Sequence, residues 1–227
     1  MRDLISKVTF GFLMAQLFPG ALLAFALTFL YFSVLPSRYG SVYQAVNTVM
    51  ATWETGSLGR ILVLLGVCTG LGMFIHGLHW AVVGRLESRY GSVFDSYWHD
   101  LAIWKQVLLG PVKMIREVGD LLFREGDIRS AGVRENVPRV PADRFAHFQF
   151  LQDFYLHSAQ FFLHTSYAML ACCGGIIAFS VMGGLTLRRA GIVLLLYVAT
   201  GLFFVLGRVQ LHSLFRAEDE LAQHPGP

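Results

Sequence analysis

Charge is what this sequence has least of. Only 15% of its 227 residues are Asp, Glu, Lys or Arg, against about 25% in soluble domains. The deficit is concentrated in residues 9–37, 61–84, 161–187 and 190–207, which carry no charged side chain. An intramembrane aspartyl protease therefore has no carboxylate to use within those runs. The three cysteines, Cys68, Cys172 and Cys173, all fall inside apolar runs, which excludes a disulfide framework. The chain contains no G-x-S-x-G elbow, P-loop, dinucleotide fingerprint or H-E-x-x-H, so the common catalytic signatures are missing. Ser180 and Thr200 stand isolated and read as helix-packing hydroxyls. A net charge of +3 is too small to argue for nucleic acid. These absences predict a protein that is not an enzyme, holds no cofactor or metal, and does not bind nucleic acid directly.

What remains is apolar. Hydrophobic residues make up 55% of the chain, with nineteen Phe, and the mean hydropathy is +0.54. A helix needs about 20 consecutive apolar residues to cross a bilayer. The four charge-free runs meet or approach that length. They predict an all-α integral membrane protein with four transmembrane helices and helical cytoplasmic extensions. The first run, Thr9 to Ser37, exceeds the apolar core of a signal peptide and reads as a retained span. Inside it, Pro19 removes a backbone donor, and the carbonyl it frees needs a packed neighbour or a water.

The organisation follows from these runs. Residues 1–84 hold the first transmembrane pair and a short external loop. Residues 85–160 form a cytoplasmic helical region, and residues 161–227 hold the second pair with a C-terminal cytoplasmic helix. With the N-terminus inside, fourteen Lys and Arg lie on the cytoplasmic side and four outside. This bias predicts a multi-pass inner-membrane protein with both termini cytoplasmic, although Arg188 and Arg189 count against it.

In the external loop, Val42, Val46, Val49 and Trp53 share one helical face and suit a surface helix. Between 101 and 122, Leu101, Trp104, Leu108, Val112, Ile115, Val118 and Leu122 recur at helical spacing. Charged residues such as Lys113 and Glu117 occupy much of the rest. That is an amphipathic helix, kinked at Gly110-Pro111, either lying in the headgroup plane or capping the bundle. The segment 126–142 is rich in Pro, Gly and mixed charge and reads as a loop, available to a cytoplasmic protein partner. From Asp143 the helical pattern runs to Cys173, and its first 18 residues project about 27 Å below the membrane.

One polar stripe interrupts the apolar helices. Gln149, Asp153, His157, Gln160 and His164 are spaced to share a face. His76 and His79 sit near the cytoplasmic end of the second run, and Arg208 and His212 near that of the fourth. The predicted inner-leaflet cluster is therefore His76, His79, Asp153, His157, Gln160, His164, Arg208 and His212. Three roles fit it. It could be a hydrogen-bond network fixing helix register, or a hydrated lining for ions or protons. It could also be a histidine-ligated metal or haem centre in an enzyme or electron carrier.

Gly66 and Gly70 form a GxxxG pair suited to close helix packing, within one protomer or between protomers. A four-helix protomer is too narrow for an aqueous pore, so conduction predicts a homo-oligomer in membrane lipid. The expected function is an oligomeric inner-membrane protein acting as a channel-like or membrane-perturbing component, or as the membrane anchor of a larger complex. In size and topology the layout resembles the small four-helix membrane components of bacterial antiphage systems. That resemblance implies a place in antiviral defence and carries over no residue.

Overall fold

The computed structural model describes residues 11, 13–34, 44, 47, 51, 58–90, 98, 100–123, 145–151, 155–184 and 186–223. Every element among them is helical. A π-helical turn, Leu13–Leu17, leads into α1 (Phe18–Val34). Then follow α2 (Leu58–Tyr90), α3 (Ile103–Phe123), α4 (Phe145–Leu151), α5 (His157–Gly183) and α6 (Leu187–Gln223). The expected surface helix at 42–53 falls almost wholly outside the described residues, and the loop near 126–142 does so entirely.

Three stretches are long and apolar enough to cross a membrane: Ile61–Val82 in α2, His157–Val181 in α5 and Leu187–Leu214 in α6. The apolar stretch in the first charge-free run, Ala15–Thr28, is shorter. The most enclosed of the three is α5, which packs along α1 on one side and α6 on the other. In turn α2 lies against α1, and α3 lies against α6.

The turn between α5 and α6 accounts for Arg189, one of the two arginines there. Gly184 takes φ +84, a conformation that costs glycine little. Thr186 caps α6, its Oγ1 accepting from the Arg189 amide at 3.3 Å, the usual N-cap arrangement. The Arg189 guanidinium donates to the Gly184 carbonyl at 2.6 Å and lies 5.2 Å from the Phe179 ring. This cation therefore serves the turn, in a position the charge-bias rule does not consider.

Close helix approach depends on glycines other than the expected pair. A Cβ on Gly66 or Gly70 would meet nothing within 4 Å, so these two do not pack inside the protomer. A Cβ on Gly20 would run into the Cys68 carbonyl, and one on Gly72 into the Gln16 carbonyl. These two glycines let α1 and α2 touch. On the other side of the bundle, a Cβ on Gly201 would run into the Val107 carbonyl. We expect Gly20→Ala and Gly201→Ala each to lower stability by about 1–3 kcal/mol through overpacking. Gly66→Ala and Gly70→Ala should leave it unchanged. Thermal unfolding of the four variants in detergent checks this.

Candidate functional site

Two prolines organise the site. Pro19 has no N–H to give the carbonyl of Ala15, four residues earlier, and the chain there is a π-helical turn. His164 Nδ1 lies 2.6 Å from that carbonyl. A carbonyl only accepts, so Nδ1 carries the proton and donates it. The imidazole is thereby held in one tautomer, with Nε2 left as its open nitrogen. His164 is fully buried, at 0% exposure.

Around His164 stand two histidines of α2. His76 and His79 are three residues apart and so lie on one face. Their ring centroids are 5.3 Å and 5.4 Å from that of His164. Trp80 borders both, at 6.3 Å from His76 and 5.7 Å from His79. Tyr167, one turn along α5, lies 6.1 Å from His79.

The other half of the layer is an ion pair between α3 and α6. Arg208 Nη2 donates to both carboxylate oxygens of Glu117, at 3.0 Å and 2.9 Å. Glu117 is only 5% exposed. Lys113, one turn earlier, is 3.8 Å from the same carboxylate and 4.4 Å from the Trp98 ring centroid. The Arg208 guanidinium lies 5.3 Å from the Phe204 ring centroid. The helix α3 also contacts α2, and α6 runs along α5. One polar layer therefore joins α2, α5, α6 and α3, with a carbonyl from the turn before α1.

Pro111 repeats the device of Pro19. It has no N–H for the Val107 carbonyl, and that carbonyl faces Gly201 of α6. The neighbouring Leu108 carbonyl accepts from the Tyr197 hydroxyl at 2.7 Å. The helix α3 runs unbroken through Gly110-Pro111, so the proline marks a docking point on α6.

Of the eight residues expected to cluster, the structure brings His76, His79, His164 and Arg208 into this layer. Gln160, one turn before His164, is also buried. His157 is half-buried, and its ring occupies the space beside Gly11, where a Cβ would come within 2.9 Å. His212 is exposed on α6, and Asp153 lies outside the described residues. Gln149, at the start of the expected stripe, is exposed on α4. A π-helical turn at 155–156 separates it from α5, and the wider turn changes the phase of the stripe.

Sequence reasoning missed two members. The spacing of charges in the sequence places Glu117 on the polar face of an amphipathic helix, yet the structure buries it. Its signal was the line Gln106, Gly110, Met114, Glu117, which packs against the bundle. Tyr167 follows His164 at i+3, a spacing that places it on the same face.

Several buried atoms in the layer find no hydrogen-bond partner among the described residues. They are Nδ1 of His76 and of His79, Nε2 of His164 and the Tyr167 hydroxyl. No three His, Cys, Asp or Glu side chains among the described residues are placed to hold one metal ion together. All three cysteines are buried and free. The sequence matches no family model, and no curated protein or solved structure matches it significantly.

The ion pair sets a clear energetic expectation. Removing one partner strands a buried charge and costs about 3–5 kcal/mol, whereas replacing both with apolar residues costs far less. Glu117→Ala and Arg208→Ala should each destabilise strongly, and Glu117→Leu combined with Arg208→Met and Lys113→Leu should recover most of the loss, because no buried charge is then stranded. Unfolding in mild detergent measures all three.

Proposed function

We propose that this protein is an oligomeric membrane protein that passes protons, with the His76–His79–His164 layer as its proton-bearing element. One observation carries the reading: a buried polar layer whose ring nitrogens and hydroxyl are left open. A network that served packing alone would close its hydrogen bonds, because each unmet buried polar group costs about 1–3 kcal/mol. Open imidazole nitrogens are instead suited to exchange protons with water. Ionisable side chains at membrane depth are functional candidates for the same reason.

The layer lies at one depth. Farther along α5, the buried residues Ala168, Cys172, Ile176 and Phe179 are apolar or weakly polar, and the next buried hydroxyl is Ser180, near the other end of the helix. A protomer therefore supplies an inner station, and several copies around a common axis would supply the remaining path. In this reading the chain crosses the inner membrane four times with both termini cytoplasmic, and the run containing α1 is the fourth passage.

The test is proton flux into liposomes carrying the purified protein, read with a trapped pH dye under an imposed potential. Wild type should acidify the lumen. His164→Asn should lose most of that flux while keeping the fold, because the Asn amide can still donate to the Ala15 carbonyl but does not titrate. His79→Ala should act the same way. Wild-type vesicles as tight as empty ones, or full flux in His164→Asn, would overturn the proposal.

A further inference from the structure

The helix α3 is inside out. A helix capping a bundle from the cytoplasm turns its apolar stripe inward and its polar face to water. The face of α3 that packs on the bundle instead carries Gln106 and Glu117, with Gly110, Pro111 and Met114 between them. The large apolar residues face away: Ile103 is 71% exposed, Val112 54%, Ile115 59% and Phe123 86%. Trp104 and Leu108 share that outward side.

The position of α3 along α6 gives this inversion its meaning. A Cβ on Gly110 would come within 3.2 Å of Gly201 Cα, and Glu117 pairs with Arg208. Seven residues separate the two contacts on each helix, so α3 and α6 run side by side in the same direction. Gly201 sits at the middle of Leu187–Leu214, the stretch of α6 able to cross a membrane. On that register Ile103 lies level with residue 194 of α6 and Phe123 with residue 214, so the stripe of α3 covers the middle and the inner half of that passage. It also continues a surface of the same kind, since Leu202, Leu206 and Val209 of α6 are exposed.

We propose that the outward face of α3 contacts lipid acyl chains, which makes α3 a membrane-embedded helix running beside α6 from just past mid-bilayer to the cytoplasmic interface. A protein-docking patch is an apolar island with a polar rim. This stripe instead merges into the apolar belt of α6. The two exposed charges, Lys105 and Arg116, bracket Leu108, Leu109, Val112 and Ile115, leaving a charge-free band between them. Lys105 lies against the Trp104 ring, 5.5 Å from its centroid, a cation–π contact that offsets part of the cost of a cation at that depth.

Nitroxide labels on Val112→Cys and Ile115→Cys, in the full chain in liposomes, test this. Both sites are exposed, so neither label disturbs packing. Collision rates with oxygen, which partitions into lipid, should exceed those with a water-soluble nickel chelate severalfold. They should match a label on Leu202→Cys, the reference on α6. Nickel collisions dominating at 112 and 115 while Leu202→Cys reads as lipid would overturn the proposal in favour of a cytoplasmic cap. Protection from both reagents, with dipolar broadening between labels, would overturn it in favour of a second copy. Nickel dominating at 202 as well would overturn the membrane placement of α6 itself.

Discussion

A carbonyl in a lipid-embedded helix must find a donor inside the protein, because hydrocarbon offers none. Proline breaks that closure at a known place, four residues before itself. This chain uses the break twice. Pro19 opens the Ala15 carbonyl, and His164 of α5 fills it. Pro111 opens the Val107 carbonyl against Gly201, while Tyr197 of α6 donates to the adjacent Leu108 carbonyl. Each proline thus ties its own segment to a spanning helix. The first tie also fixes the orientation and tautomer of the most buried histidine, on which the geometry of the polar layer depends.

The layer has two unlike halves. The Glu117–Arg208 pair is closed and holds α3 to α6. A buried pair of this kind is weak evidence for net stability, since desolvation offsets its attraction, but it penalises any arrangement that separates the charges. The histidine half is open, with ring nitrogens that lack partners among the described residues. Rigid pairing beside open imidazoles suits a site that must keep its shape while protons come and go. The inverted polarity of α3 follows from the same arrangement. Glu117 must face Arg208, so the apolar side of the helix has to face outward.

Much of this was legible in the sequence, for local reasons. Charge-free runs mark helices long and apolar enough to cross a membrane, and three such helices are present among the described residues. The spacing of His76, His79 and His164 put each on a helical face, and the need of the carbonyl freed by Pro19 for a partner follows from one residue. What the sequence could not supply was which faces meet. Gly66 and Gly70 form the recognisable motif, yet the close contacts fall to Gly20, Gly72 and Gly201, whose partners lie on other helices. The apolar stripe of α3 named a helix correctly and said nothing of which side packs. In water the apolar side would turn inward. Beside a membrane helix that expectation reverses, and Glu117 becomes a core residue.

The central claim is that His164 is pinned through Nδ1 and faces a hydrated, proton-exchanging layer through Nε2. Solid-state NMR of imidazole-15N-labelled protein in lipid bilayers, with magnetisation transferred from water, tests both parts at once. The account predicts a His164 signal of the Nδ1-protonated tautomer at neutral pH, with water contact at the nitrogens of His76, His79 and His164. An Nε2-protonated His164, or three histidines dry to water transfer, would contradict it.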